Sequence, residues 1–545
     1  MTNVLADVAK IPSNRDVQDA LTRLTAYSWT ASLSLIIGLM LLSFLVAGLF
    51  VVYWRNADMD FIVIHNALLL NDGKPAFFPH PAYVTILVES YWFRLLNAIG
   101  VLDFVSLSNL PSDAKSFAEA MTALIRWARV LVCLMATGLV LVFGLLVRAI
   151  VRDWRLAGLA TFAFAFSGGM QFHLRMLRSE MLAAGLVVIG LLFLLLAARR
   201  ATNYRPLLMG AAAFLCVIGY ENKVHVVFLI AALPIICLMF GTSESGSTEI
   251  WTTKPPNVYA FCATLFIAGI AAVLFACAFP LIKLGYQAGS EMADLHPIIF
   301  GRTGLYQTGI IVWIGIGLFA FATVWRVAPL EFCASFFAIV AGASLALLTL
   351  YFQLNPKTLV VLMNPLEEMI KYADSRAVAV VDEGSVGGSI GLLLSGVLGV
   401  LRRYTFVLFS SPRPTVFLTW LVVPGIIYAW RRSERQIALQ AAVLLCCAIG
   451  IDALGIRRGL KAEYFIITDP LIILSGLILL EKFGDLRFAK WAYPVGVGLI
   501  VLHIVISQAE PAKMLTSRRG PEGICEWNKA YLPLMPVPWC DQTHG

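Results

Sequence analysis

Residues 54–83, WRNADMDFIVIHNALLLNDGKPAFFPHPAY, decide how the rest of this chain is interpreted. They follow a long apolar run, residues 31–54, that is long enough to cross a bilayer. Two acidic side chains, Asp58 and Asp60, come directly after that run. A transporter usually carries its carboxylates inside its spans, whereas these two lie on a loop just outside the first one. Carboxylates at the membrane surface suit chemistry on a lipid head group.

The rest of this stretch predicts one short helix that lies outside the first span. Phe61, Ile64 and Leu68 recur at helical spacing, and His65 lies between them. The residues at 71–75, Asn-Asp-Gly-Lys-Pro, then favour a turn that ends the helix.

The same stretch resembles the first extracytoplasmic loop of the GT-C superfamily, integral membrane glycosyltransferases that use polyprenyl-phosphate-linked sugars. In that superfamily an acidic motif follows helix one, and a Gly and a Pro-containing segment follow one amphipathic helix later. The matching residues are Asp58-Met59-Asp60, Gly73-Lys74-Pro75 and His80-Pro81-Ala82. The chain departs from the pattern by having D-M-D in place of the commoner D-E, and Ala82 in place of a second proline. The resemblance covers residues 54–83 and implies a GT-C-like bundle.

Composition independently indicates a polytopic membrane protein. Hydrophobic residues make up 59% of the chain and charged residues 14%, and the mean hydropathy is +0.82. A soluble chain carries about 25% charged residues. The formal net charge of +8 does not indicate nucleic-acid binding, because membrane proteins concentrate Lys and Arg in cytoplasmic loops.

The apolar runs predict an all-α polytopic fold with thirteen spans. They divide the chain into a cytoplasmic segment, residues 1–30, a transmembrane domain, residues 31–508, and a short extracytoplasmic tail, residues 509–545. The resemblance implies that the transmembrane domain is a GT-C-like catalytic domain. The predicted spans are residues 31–54, 128–150, 156–172, 180–198, 206–221, 224–240, 257–282, 306–325, 331–352, 413–430, 437–456, 465–481 and 491–508.

Orientation follows from the short basic turns between these spans. With the N-terminus in the cytoplasm, the turns that face inside contain Arg148, Arg155, Arg199, Arg205 and Arg431, as the positive-inside rule expects. The acidic loop then faces outside. The expected location is the bacterial inner membrane, with the active site facing the periplasm.

Residues 84–102 are apolar but contain Glu89, Arg94 and Asn97. If they crossed the membrane, every later loop would change sides. We therefore expect a helix at the outer interface. Together with a second helical stretch at residues 112–125, it would supply the juxtamembrane helices of the first outer loop.

Sugar transfer requires a carboxylate that takes the proton of the acceptor hydroxyl. Asp58 and Asp60 are the candidate catalytic residues, and the resemblance favours Asp58 as the base. Asp60 would orient the acceptor or join a divalent cation, because D-x-D motifs can bind metals through oxygen ligands. Whether Mg²⁺ or Mn²⁺ is needed stays open. His65 is a substrate-binding candidate, with a polar residue on an interfacial helix as the slightly favoured alternative.

The departing phosphate requires positive charge, and three outer segments offer it. In the first, Arg175 and Arg178 are spaced to share one face of a helical turn, and Glu180 follows. Their segment resembles the R-x-E segment that opens a helix in many GT-C enzymes. The alternative is that these basic residues extend to the interface without binding a substrate.

The second segment contains Glu221, Lys223 and His225 between two apolar runs. Ionisable residues at such a junction are costly unless they are paired or used. Lys223 and His225 are therefore substrate-binding candidates, with mutual neutralisation of Glu221 and Lys223 as the alternative.

The third segment contains Arg457, Arg458, Lys461 and Tyr464. It places three cations outside, against the positive-inside trend, and a bound anion would explain the exception. It resembles the R-Y-x-x-P segment of lipid A aminoarabinose transferases and protein mannosyltransferases, although Lys461 and Tyr464 are further apart than in that pattern.

The leading hypothesis is an inverting glycosyltransferase that moves a sugar from a polyprenyl-phosphate donor to a lipid-linked, polysaccharide or protein acceptor. A transporter or lipid flippase, and an O-antigen polymerase or ligase, are the alternatives. In the polar tail, Cys525 and Cys540 are predicted to form a disulfide, because an odd number of spans puts them in an oxidising compartment.

Overall fold

The structure is a computed structural model, and every regular element in the part of the chain that it describes is a helix. The all-α prediction is confirmed for that part. The described residues are 14–49, 59–74, 82–151, 153–199, 204–241, 262–263, 265–278, 280, 312–313, 315–317, 319, 321, 324, 329–349, 394, 396–402, 404, 415–455, 464–483, 491, 494–495, 497–498, 501–502, 525, 532 and 535–540.

The helices on which the description below depends are listed in chain order. They are α1 (Asn14–Phe44), α2 (Met59–Asn71), α3 (Tyr83–Ala98), α4 (Ala114–Ile150), α5 (Trp154–Ala165), α6 (Gly168–His173), α7 (Ser179–Arg199), α8 (Arg205–Asn222), α9 (Val227–Gly241), α10 (Pro329–Leu347), α11 (Thr415–Arg431), α12 (Arg435–Gly455) and α13 (Phe465–Phe483). A π-helical turn, Leu45–Leu49, continues α1, and a 3-10 turn, Val224–Val226, precedes α9.

Five helices in the described ranges are long and apolar enough to cross a membrane, which makes this a membrane protein. They are Tyr27–Leu49, Ala114–Ile150, Ser179–Ala198, Pro329–Leu347 and Arg435–Ala453. Several of the remaining predicted spans coincide with other helices, such as α8, α9, α11 and α13.

Helix α7 is a central element of the bundle, because it packs against α4, α8, α9 and α13. Small residues bring these helices close together. A Cβ on Gly219 of α8 would lie 2.8 Å from the carbonyl oxygen of Ala183 on α7. Between α8 and α10, a Cβ on Gly342 would lie 2.1 Å from the carbonyl oxygen of Gly210. Close backbone contact at small residues is a common way for helices to associate in lipid.

Helix α4 corrects the prediction of a separate outer helix at residues 112–125 followed by a span at residues 128–150. One helix of 37 residues covers both, and Asp113 caps it by accepting hydrogen bonds from the N–H groups of Lys115 and Ser116. At 1.5 Å per residue it is about 55 Å long, against a hydrocarbon core of about 30 Å. The sequence pattern predicted helix in both parts, but not that they form one continuous helix.

Two further helix predictions are wrong. The predicted span at residues 156–172 is interrupted, because α5 ends at Ala165 and Ser167 caps α6 by accepting a hydrogen bond from the N–H of Met170 at 3.3 Å. Arg175 and Arg178 do not share a helical turn, because they lie between the end of α6 at His173 and the start of α7. The cap satisfies the backbone donors that the break would leave unpaired.

The helices predicted for the first outer loop are present as α2 and α3. Asn71, the last residue of α2, donates a hydrogen bond to the carbonyl oxygen of Val105 at 2.7 Å and accepts one from Ser90 of α3 at 2.6 Å. Helix α3 buries one face and exposes Tyr91 and Leu95 on another. An exposed apolar face suits the predicted position at the membrane interface.

The polar tail is attached to the outer half of α4. The predicted disulfide between Cys525 and Cys540 is present. Beside it, the ring of Trp539 packs edge-on against Phe117 of α4, with 5.7 Å between ring centroids. The first half of α4 and the tail, both predicted to be extracytoplasmic, therefore lie together.

Candidate active site

Asp60 is held in a buried ion pair. Its Oδ2 lies 2.9 Å from an amino nitrogen of Arg129 on α4, and both side chains are almost completely buried. Arg129 also donates a hydrogen bond to the carbonyl oxygen of Gly48 at 3.0 Å, in the π-helical turn that ends α1. One guanidinium therefore joins the end of the first helix, the start of α2 and the middle of α4.

The other oxygen of Asp60 binds a segment that is distant in sequence. Its Oδ1 accepts a hydrogen bond from the backbone N–H of Leu177, in the turn between α6 and α7. This bond brings the acidic motif to the first of the three predicted cationic segments.

Arg175 lies in that turn and points toward the first helix. Its guanidinium donates to the hydroxyl of Ser43 at 2.9 Å, and contacts the amide oxygen of Gln171 at 3.4 Å. The side chain is buried, so its charge is shielded from bulk water. A buried cation of this kind interacts more strongly with a nearby anion than one at the surface does.

Glu180 connects the first and second cationic segments. Its carboxylate lies 2.8 Å from the ammonium of Lys223 and 3.5 Å from the guanidinium of Arg178. All three side chains are buried. Arg178 also lies over the ring of Phe172, with 5.6 Å from its guanidinium carbon to the ring centroid. Two cations therefore share one carboxylate at the start of α7.

These residues meet because the ends of α7 and α8 lie side by side. The amide nitrogen of Asn222, the last residue of α8, donates to the carbonyl oxygen of Ser179 at 2.8 Å. The amide oxygen of Asn222 in turn accepts from the N–H and the hydroxyl of Thr85 on α3, each at 3.0 Å. The first outer loop is thus tied to both cationic segments.

The second and third segments meet through an aromatic contact. The ring of His225 stacks on Tyr464, with 5.0 Å between ring centroids. Tyr464 directly precedes α13, so the stack brings the start of that helix beside Lys223.

Two titratable groups of the first outer loop are buried away from the ion pairs. His65 on α2 is fully buried, neither ring nitrogen has a hydrogen-bond partner in the described part of the chain, and burial lowers its pKa to about 4. Glu89 on α3 is also fully buried, and its carboxylate has no hydrogen-bond partner there either. Burial, and then the charge of Asp60, raises the pKa of Glu89 well above its usual value. Burial therefore favours the neutral form of both side chains.

Four predicted site residues lie outside the described residues: Asp58, Arg457, Arg458 and Lys461. Among the residues that are described, no group of three or more His, Cys, Asp or Glu side chains is arranged to hold a metal ion.

Arg129 is a site residue that the sequence did not predict. It lies at the beginning of the predicted span at residues 128–150, where a buried arginine is costly unless it has a partner, and that cost was the available signal. Glu89 was predicted only as a charge that argued against a span, and Glu221 only as a partner for Lys223.

The fold and the polar residues at one end of its helices define an all-helical membrane protein with a buried, charged site. The chain matches no protein-family model, no curated protein and no solved structure.

Proposed function

We propose that this protein is an inverting glycosyltransferase with a GT-C-like bundle of about thirteen spans. It moves a sugar from a polyprenyl-phosphate donor to an acceptor hydroxyl at the extracytoplasmic face of the membrane. The supporting observation is that the acidic motif after the first helix meets the first cationic segment, where Asp60 accepts from the Leu177 N–H. Glu180 of that segment in turn joins Arg178 to Lys223 of the second segment.

The charges of these segments suit a phosphate ligand. Arg175, Arg178 and Lys223 contribute three basic groups, whereas Glu180 and Glu221 contribute two carboxylates. A donor phosphate would balance the excess positive charge, and charge-assisted hydrogen bonds from arginine and lysine are the common way to bind it. Arg457, Arg458 and Lys461 precede Tyr464 in sequence, and they would add to the same site.

The roles of the two aspartates differ in this proposal. Both oxygens of Asp60 are engaged, by Arg129 and by the Leu177 N–H, so we assign it to positioning. Asp58 is assigned as the base. It takes the acceptor proton while the acceptor oxygen bonds to the anomeric carbon. The bond from that carbon to the phosphate oxygen breaks, and the phosphate leaves with the electron pair, with no acid required.

The proposed orientation in the membrane depends on the turns at the end of the helices that lies away from the candidate site. Arg205, at the start of α8, is at that end and pairs with Glu331 of α10 at 2.6 Å. By the positive-inside rule, the end with basic turns faces the cytoplasm. The site would therefore face the periplasm of a bacterial inner membrane, where lipid-linked, polysaccharide or protein acceptors are available.

The decisive experiment separates transfer from transport. Purified protein in nanodiscs is incubated with undecaprenyl phosphate sugars, labelled in the sugar, and with cell-envelope material as the acceptor. We expect release of undecaprenyl phosphate and label in an acceptor. In proteoliposomes, intact donor that crosses the bilayer without cleavage would instead favour a flippase and contradict the proposal.

A further inference from the structure

Glu221 is a buried carboxylate that the proposed reaction does not yet use. It lies in the last turn of α8 and is 2% exposed. Its Oε2 accepts a hydrogen bond from the hydroxyl of Thr349, just beyond the end of α10, and its Oε1 has no hydrogen-bond partner in the described part of the chain.

The alternative interpretation, in which Glu221 and Lys223 neutralise each other, is not what the structure contains. Lys223 instead pairs with Glu180, at 2.8 Å. A buried acceptor without its full set of hydrogen bonds is destabilising, and ionisable groups in membrane proteins are kept mainly where they are used. Glu221 is therefore better explained by a ligand than by the fold.

The surroundings of Glu221 supply hydroxyl groups. Tyr83, the first residue of α3, has its pKa raised to about 12 by burial first, and then by the charges of Tyr91 and Glu221. Thr349 also donates its hydroxyl to the carboxylate. Helix α8, which carries Glu221 two residues before Lys223, packs against both α3 and α10.

We propose that Glu221 binds a hydroxyl group of the sugar on the donor lipid, and so contributes to sugar specificity. This inference rests on the proposed function. The oxygens of a carboxyl group accept hydrogen bonds, and sugar hydroxyls donate them. The phosphate and the sugar of one donor molecule are directly bonded, which fits a cation, Lys223, and a carboxyl group, Glu221, that are separated by one residue on the same segment.

The test compares binding of a phosphate lipid with and without a sugar. The probes are farnesyl phosphate and a panel of farnesyl phosphate hexoses and pentoses, measured by calorimetry on the protein in nanodiscs. We expect the wild-type protein to bind at least one sugar-bearing probe more tightly than farnesyl phosphate. Glu221→Gln should weaken that probe about tenfold to hundredfold and leave farnesyl phosphate within about twofold.

Two further variants serve as controls. Lys223→Met should weaken both kinds of probe, because it removes a phosphate-binding cation. Glu434→Gln changes an exposed carboxylate at the other end of the helices, which pairs with Lys482 at 3.2 Å, and should change neither. If Glu221→Gln does not fold, Glu221→Asp replaces it, since the shorter side chain keeps the carboxyl group but loses contact with the hydroxyl.

Three results would overturn the inference. In the first, the wild-type protein binds every sugar-bearing probe no more tightly than farnesyl phosphate. In the second, Glu221→Gln weakens both kinds of probe equally, which indicates a structural role. In the third, the wild-type protein does not bind farnesyl phosphate at all. Only this third result also contradicts the proposed function. The first two results contradict the role of Glu221 alone, so failure of the inference can be distinguished from failure of the proposed function.

Discussion

The guanidinium of Arg129 lies 2.9 Å from the carboxylate of Asp60, although 69 residues separate them in the sequence. The pair is buried, and Asp60 also accepts the backbone N–H of Leu177. The ion pair therefore holds the acidic loop against α4 and against the turn that carries Arg175 and Arg178. Loss of this ion pair should therefore disturb the positions of the neighbouring site residues and not of Asp60 alone.

Breaking this pair from one side should destabilise the protein strongly. Arg129→Met or Asp60→Asn leaves a buried group without its partner, at a cost of about 3–5 kcal/mol, whereas the double variant should recover part of that loss. Thermal unfolding in detergent measures the effect. Arg126→Met, an exposed arginine on the same helix, is the control. Additive losses in the double variant would show that the two groups are not coupled.

Asp58→Asn should abolish catalysis without affecting the fold. General base catalysis contributes typically about 10²–10⁴-fold, so sugar transfer should fall by that factor. Turnover of labelled donor and the melting temperature are measured for both variants. Asp58→Asn should lower turnover alone, whereas Asp60→Asn should lower turnover and the melting temperature. Wild-type turnover by Asp58→Asn would remove the assignment of the base.

The disulfide between Cys525 and Cys540 should stabilise the tail on α4. It closes a loop with a sequence separation of 15 residues, for which the chain-entropy estimate is about 3 kcal/mol. The double Cys→Ser variant should therefore melt at a lower temperature, and reductant should lower only the wild-type melting temperature. Cys446→Ser, which changes an exposed free thiol, is the control. Two free thiols in non-reducing mass spectrometry would contradict the bridge.

His65 should make the protein less stable as the pH falls. Its pKa is lowered by burial to about 4 in the folded chain, whereas the unfolded value is near 6.5. Between these values the unfolded chain binds more protons, so stability is lost as pH decreases from about 6.5 toward 4. The loss between pH 7 and pH 5 is roughly 2 kcal/mol. His65→Gln should flatten this dependence in urea titrations. An unchanged slope would show that His65 is not buried in its neutral form.

The main features of the fold could be predicted from local sequence patterns. Apolar runs long enough to span a bilayer and the helical spacing of Phe61 and Ile64 in α2 each depend on neighbouring residues only. The disulfide in the polar tail was predicted from the number of those runs, which places the tail in an oxidising compartment. The same patterns predicted spans where the chain breaks at Ser167, because a serine cap is a weak signal within an apolar run.

The sequence by itself determined that this is a helical membrane protein with carboxylates and cations concentrated in a few segments. Only the tertiary structure decided the partners of these charges: Arg129 pairs with Asp60, and Lys223 pairs with Glu180 and not with its neighbour Glu221. The physical reason is that composition and spacing report how each segment meets the membrane, whereas the partner of a buried charge depends on which helix ends pack together.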